Sequence, residues 1–381
     1  MTSLKQLLDH YCPGGVEYSR LSEAMVLAPG TRITKREHMG TAFPVYGGGG
    51  ESFRTDDWNR EDDWVISRFA MSPHCVRFVT GKFWLLDSGI TFEPTEAASK
   101  QYVAHFLASI EDKIYATSSK SAQRNLKVKE FLKLEIPLPP REVQDKIVEI
   151  LDPFAAVCEN LDTEIAQREQ QFSEYCEKLL ASLPTDSELG EHGEFLRGKG
   201  IQKKDFTKGG RPAFHYGQIH TKYGLQTTET AAFISEELFQ HSALAQPGDL
   251  IIASTSEDDE AVAKSVVWLG KEPAAIGSDA HFYRHEYEPR FISYFFATEG
   301  FHRQKAMLLT GAKVRRINAV ALASIKAPFP PLETQQEIAD KLDAMQELID
   351  NLRLERKQRQ QQFNYYREIL LSFPKKNTAE V

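Results

Sequence analysis

The chain is poor in cysteine and pairs none of it locally. Cys12, Cys75, Cys158 and Cys176 are widely spaced and form no CxxC pair. That excludes a zinc ribbon and a dense disulfide framework, and it fits a reducing cytoplasm. No apolar run approaches the ~18 residues that a membrane span requires, so no membrane partner is expected. The opening segment MTSLKQLLDHYCPGG is charged and lacks the long apolar core of a secretory signal. A basic excess is missing too: 46 Lys and Arg face 54 Asp and Glu, for a formal charge of −8. A uniformly basic nucleic-acid binder is thereby excluded, whereas a locally basic face is not.

Catalytic signatures are equally scarce. YGGGG (46–50), the one glycine cluster, lacks the Lys-Ser/Thr of a phosphate-binding loop and reads as a turn or a close backbone approach. PLPP (137–140) and PFPP (328–331) are helix starts rather than the Asn/Asp-Pro-Pro-Tyr/Phe of an amino-methyltransferase. His281 and His285 stand four apart with no third ligand or adjacent glutamate, so no metal site is assigned. The run Glu257-Asp258-Asp259-Glu260, followed by Lys264, lacks a nuclease's spacing and reads as a solvated loop. Neither a Gly-x-Ser-x-Gly elbow nor a Cys/His pairing stands out. The chain is expected to carry no catalytic residue and to bind no cofactor itself.

What the sequence does hold is ordinary globular composition, 41% hydrophobic and 26% charged over 381 residues, and an internal repeat. Residues 137–180 align with 328–371 without gaps at an offset of 191, with 20 of 44 positions identical. Each copy reads as one long helix. A proline pair opens it, Glu142 or Glu333 sits near the positive end of the dipole, and Pro184 or Pro374 stops it. Only Pro153 interrupts, near the start of the first copy, where a kink is expected. The apolar positions step by four and three for about five heptads, the period of a coiled-coil seam. Leu151, Leu161, Arg168 and Phe172 fall on that seam in the first copy, and Leu342, Leu352, Arg359 and Phe363 in the second. Two copies of one seam in one chain most simply pack on each other.

The segments between differ from the helices. Short β-type runs at 63–69, 76–80, 82–86, 249–255 and 265–270 are punctuated by turn residues, and each segment closes with an apolar helical pattern (102–110 and 291–301). These are read as α+β domains. They share weaker parallels: Ile33-x-Lys35-Arg36-Glu37 with Ile201-x-Lys203-Lys204-Asp205, and Val45-Tyr46-Gly47 with His215-Tyr216-Gly217. Charges nearly balance within 1–136 and within 185–326, so most of the negative excess lies in the helices and tails.

Two variable α+β domains alternating with two near-identical helices, each opened by IPLPP (136–140) or APFPP (327–331), resemble the specificity subunit of type I restriction–modification enzymes. The signature P-L-P-P-x-E-x-Q-x-x-I-x-x-x-L (137–151) and its second occurrence carry the resemblance. FPVYGGGG (43–50), VISRF (65–69), GKFW (81–84), LRGKGI (196–201) and GAKVRRI (311–317) add to it, whereas SRFAMSPHC (67–75) lacks glycines that this loop often carries. The resemblance implies four parts: a target-recognition domain (1–135), a central spacer helix (136–184), a second target-recognition domain (185–326) and a C-terminal spacer helix with tail (327–381). It also implies antiparallel spacers that give a pseudo-two-fold arrangement. Each domain would read half of a bipartite double-stranded DNA target. The helices would dock two methyltransferase subunits, joined by motor-nuclease subunits, and these partners would use S-adenosylmethionine, ATP and Mg.

Base readout draws on Arg and Lys for guanine and Asn and Gln for adenine. Residues supplying such mixtures are Arg32, Lys35, Arg36, Tyr46 and Arg68 in the first domain. In the second they are Lys199, Lys203, Lys204, His215, Tyr216, Gln218, His220, Lys222, Tyr223 and Arg315. Lys199–Lys204 suits phosphate positioning, and His215–Tyr223 suits base contact. The competing reading is a non-DNA scaffold, two binding modules on a coiled-coil strut joining protein partners.

Overall fold

The computed structural model describes residues 3–376. The fold is α+β, and the chain forms two compact units. One comprises the residues up to Asp162 together with those from Leu354 onward, and the other is Thr163–Arg353. Two long helices, Arg141–Ala181 and Leu332–Leu370, each contribute to both units. Among the described residues no helix is long and apolar enough to cross a membrane.

Within each unit the two helix portions run antiparallel. In the first, Phe154 meets Phe363 and Tyr366, while Arg356 grips Asp162 through two 2.9 Å hydrogen bonds. Partner numbers fall along one helix as they rise along the other. In the second, Arg353 pairs with Glu169 at 2.6 Å, and Cys176 and Leu180 share a core with Ile338 and Leu342. Pro153 sits at an exposed position and the helix continues through it to Ala181, so one lost N–H bond is tolerated.

Leu151, Leu161, Leu342 and Phe363 are buried, and Phe172 and Leu352 partly so. The two seam arginines depart from the expectation. Arg168 and Arg359 keep 42% and 46% of their side chains exposed and pair within their own helices, with Glu164 at 3.5 Å and Glu355 at 3.3 Å. A guanidinium is costly to desolvate and has a long stem, so it swings out of a seam that a leucine would fill.

The duplication extends to the sheets. In the first unit the strand order is Met25–Pro29, Gly89–Pro94, Arg60–Ser67, Val76–Leu85, Phe43–Tyr46, Glu51–Thr55. Only Phe43–Tyr46 runs parallel to its neighbour Val76–Leu85. The second unit repeats the order and senses across two sheets: Gly193–Arg197, Ala280–His285, Leu250–Ala253, Ser265–Trp268 in one, edged by Gln226–Thr227, and Ala274–Ile276, Arg211–Phe214, Ala232–Ile234 in the other, edged by Ala243–Ala245. The two runs 76–80 and 82–86 prove to be one strand. It bends at Gly81, whose φ is +73° and whose N–H donates to the Asp62 carboxylate at 2.7 Å. In the second unit the same element breaks fully into Ser265–Trp268 and Ala274–Ile276, with Gly270 and Pro273 between them.

Both units fasten their sheet domain to the long helices in the same way. An entering strand pairs with an exiting one, Tyr18–Arg20 with Glu135–Pro137 and Ser187–Glu188 with Lys326–Ala327. One turn into each helix lies a buried glutamine. Gln144 accepts from the Ser99 N–H and donates to the Ala97 and Pro139 carbonyls, all at 2.8 Å. Gln335 accepts from the Glu288 N–H and donates to the Pro330 carbonyl, also at 2.8 Å. Ser99 and Glu288 are the N-caps of Lys100–Ser109 and Pro289–Phe296, so each glutamine ties a domain helix to a spacer helix. A second tie recurs one face along: His105 meets Asp152 at 2.7 Å, and Tyr294 donates to Asp343. Burial holds the His105 ring below the usual imidazole range against the pull of Asp152.

Candidate nucleic-acid interface

In the second unit the strand Arg211–Phe214 ends at His215, whose Nδ1 accepts the Gly217 N–H at 3.2 Å and caps the short helix Tyr216–Thr221. That helix is fixed from below. Lys264 donates to the His220 carbonyl at 2.9 Å, and the His220 Nε2 lies 3.2 Å from the Thr255 carbonyl. Thr255–Ser256 pairs in turn with Arg315–Arg316. Arg315 donates to the Gly311 carbonyl at 2.7 Å, and its Nε lies 2.7 Å from the Asp259 carboxylate. The acidic run Glu257–Glu260 is the exposed loop that its sequence suggested, and its backbone is anchored from the inside. Buried Lys305 donates to the carbonyls of Glu260 at 2.9 Å and Val262 at 3.0 Å, and burial lowers its pKa.

The Lys199–Lys204 stretch reaches the same place, because Phe206 packs edge-on to His215 with ring centres 5.6 Å apart. Lys199 and Lys204 are exposed, and the side chain of Lys203 lies outside the described residues. Tyr216 and Gln218 are half-buried, and the Gln218 amide oxygen has no hydrogen-bond partner among the described residues. Lys222 is exposed. Tyr223 faces inward instead: its ring packs on Phe214 and its hydroxyl accepts the Ala231 N–H at 2.7 Å. Tyr223 is half-buried, and these two contacts fix its ring against the sheet. Beside the Arg315–Arg316 strand lies a cleft of about 260 Å³ lined by Arg197, Ser254, Thr310 and Arg316 among others.

In the first unit YGGGG is the loop between Phe43–Tyr46 and Glu51–Thr55. Arg77 donates to the carbonyls of Gly47 at 2.9 Å and Gly48 at 2.7 Å, and Ser67 donates to Gly48 at 2.5 Å. A Cβ on Gly48 would stand 2.8 Å from the Phe69 carbonyl oxygen, a close backbone approach that requires glycine. Tyr46 packs on Phe83, and Arg68 lies over Phe69 at 4.9 Å. Arg32, Lys35 and Arg36 are exposed, the last two on the single turn Lys35–His38.

Hydrogen-bond register makes the correspondence between units explicit. Gly30 donates to Gly89 and Gly198 to Ala280; Thr31 donates to Leu85 and Lys199 to Ile276. Lys35 and Arg36 therefore occupy the places of Lys203 and Lys204, so each unit carries a basic turn at the same point. The parallel of Tyr46 with Tyr216 fails. Leu86 donates to Tyr46 and Gly277 to Phe214, so Phe214 is the counterpart of Tyr46, and Tyr216 lies two residues further on. Arg77, which shapes the glycine loop, escapes a sequence reading because its partners are backbone carbonyls 29 and 30 residues earlier.

Among the described residues no group of three or more His, Cys, Asp or Glu is placed to hold a metal ion. His281 and His285 lie on one strand; His281 bonds Ser254, and His285 packs against Tyr283 and Tyr287.

Residues 57–169 and 185–362 match the family described as the type I restriction modification DNA specificity domain. The chain is 23% identical to a putative type I restriction enzyme specificity subunit of Haemophilus influenzae over 98% of both chains. It is 26% identical to the EcoR124I/EcoR124II specificity subunit of Escherichia coli over 85% of this chain and 80% of that one. Its fold is similar to that of the type I restriction–modification S subunit of M. genitalium, with a TM-score of 0.61 at 16% identity over 94% and 96% of the two chains. A structure described as underlying complex assembly and conformational transition of the type I R-M system gives 0.55, also at 16% identity, over 94% and 97%. Duplicated domains, duplicated junctions and a family match across three quarters of its length identify the chain as a member of the type I restriction–modification specificity subunit family.

Proposed function

We propose that the chain reads a bipartite sequence in double-stranded DNA, one unit to each half-site, and organises the subunits that act on it. The observation that carries this reading is the double occurrence of one loop cluster. In each unit a basic turn, a strand-end aromatic and an arginine-bearing loop follow the same ends of the corresponding strands. Duplex DNA repeats along its axis with local two-fold symmetry, which dimeric readers match with two like heads, and a chain of two like halves can do the same. Exposed Lys and Arg position the backbone, and half-buried, pre-fastened polar groups suit base edges. The near balance of charge within each domain, against −8 overall, allows such local basic faces.

The long helices are the docking surface for two methyltransferase subunits, with restriction subunits joining that core in the cytoplasm. S-adenosylmethionine, ATP and Mg serve those partners, and this chain supplies no catalytic group. A structure bearing on assembly of the type I R-M system is among the fold's relatives, which supports this part of the reading. The test is domain exchange. With residues 185–326 replaced by the equivalent domain of a related subunit, the methylated motif of the assembled enzyme should change in one half only. A change in both halves would mean that the units read jointly, and binding to proteins with no duplex affinity would favour the scaffold.

A further inference from the structure

Each unit closes its sheet end with a seven-residue loop, Ser119–Asn125 in the first and Thr310–Arg316 in the second. Ser119 donates to the Asn125 carbonyl at 2.9 Å, and Thr310 to the Arg316 carbonyl at 2.9 Å. The next residue, buried Leu126 or Ile317, donates to the carbonyl of Arg68 at 2.8 Å or of Ser254 at 3.1 Å. Arg68 and Ser254 are themselves equivalent, donating to Ser88 at 2.9 Å and Asp279 at 3.0 Å. The register therefore equates Arg124 with Arg315, although SKSAQRN and TGAKVRR share no other residue in place.

Both arginines are half-buried and held by their surroundings. The Arg124 guanidinium lies 4.4 Å over the Tyr115 ring, with Nη1 3.3 Å from the Ser118 hydroxyl. Arg315 is held by the Gly311 carbonyl and the Asp259 carboxylate, each at 2.7 Å. A guanidinium fixed on one side keeps the other part of its fork free, with little rotamer entropy left to lose on binding. The carboxylate discriminates between the two kinds of DNA contact. Asp259 would repel a phosphate brought against Arg315, whereas a guanine edge presents neutral acceptors.

We propose that Arg124 and Arg315 are symmetry-matched base-reading residues, each recognising one guanine in its own half-site. This rests on the DNA-reading function above. By equivalence of the loops, the two guanines stand at the same distance from the methylated adenine of their own half. Arg124→Lys and Arg315→Lys keep the charge but lose the bidentate fork; Arg→Ala variants at both positions serve as a second set. Each variant is assembled with its cognate methyltransferase subunit, its folding is checked by thermal melting, and genomic N6-methyladenine is mapped.

Arg124→Lys should relax one G·C pair in one half, and Arg315→Lys the matching pair in the other. Discrimination at that pair should fall about five- to 150-fold, with the opposite half unchanged. An unchanged motif in a folded Lys or Ala variant overturns the assignment. So does methylation that weakens at every site alike, which marks a phosphate contact, or relaxation of the same half by both variants. If the parent itself yields no bipartite motif, the underlying DNA-reading function fails, a result distinct from failure of the arginines alone.

Discussion

Truncating Gln144 to alanine tests how the domains are fastened. The carboxamide is fully buried and makes three 2.8 Å hydrogen bonds, to the Ser99 N–H and to the Ala97 and Pro139 carbonyls. Each bond contributes about 1 kcal/mol net, and the backbone groups left behind are too deep for water to reach. With the small void added, the expected loss is about 3–5 kcal/mol. Among the described residues Gln335 repeats two of the three bonds, so Gln335→Ala should cost about 1 kcal/mol less. A chain of two units need not unfold in one step, so amide hydrogen exchange is the proper assay. Local destabilisation of 3 kcal/mol at Ser99–Val103 would speed exchange there roughly 150-fold, with the amides of Glu288–Ile292 unaffected. A change below about twofold at Ser99–Val103, or equal acceleration in both units, would refute the idea that this glutamine fastens its own unit alone.

Acid should weaken the second unit. Burial against Tyr283 and Tyr287 lowers the His285 pKa from 6.5 to about 4, so the folded state binds fewer protons than the unfolded one in between. This contribution is complete above pH 6.5 and fades as pH falls towards 4, by about 3 kcal/mol in all. The slope of urea stability between pH 7 and 5 should flatten in His285→Phe; a slope equal to the parent's would count against it. Arg168→Leu with Arg359→Leu should leave stability unchanged or raise it by up to about 1–2 kcal/mol per site, because both arginines are half exposed and pair only within their helices while a leucine can fill the seam. A loss of several kcal/mol on denaturation would show that the arginines hold the coil. Inserting four residues between Arg168 and Phe172 adds ~6 Å of helix, so the unread gap in the target should lengthen by about one to two base pairs at 3.4 Å each. An active variant with an unaltered gap would show that the helices do not set it.

The helices were legible because one pattern is written twice, 191 residues apart, and a 3.5-residue period says which face is apolar. The glutamine of the signature was visible as a letter but not as a latch. Its partners Ser99 and Glu288 lie 45 and 47 residues earlier, beyond any local rule. Arg168 and Arg359 fit the seam by spacing alone, and spacing does not register the cost of burying charge. Gly81 looked like a strand end because glycine often is one; its N–H bond to Asp62 makes it a bend instead. The run 291–301 read as one helix, yet Thr298 caps a second helix, Glu299–Leu308, inside it. At the candidate interface, residue type marked the basic turns, but it could not show that Tyr223 packs on Phe214, that Arg77 binds the glycine-loop carbonyls or that Arg124 lies over Tyr115. In each of those cases what decides the role is a contact made across the sheet.

The most direct measurement is the methylated motif itself. The chain, co-expressed with its cognate methyltransferase subunit in a host free of other adenine methylation, should place N6-methyladenine in a two-part sequence with an unread gap. The same methyltransferase without the chain should leave the genome unmodified. Methylation at an uninterrupted motif, or equal methylation in the absence of the chain, would contradict a two-headed specificity subunit.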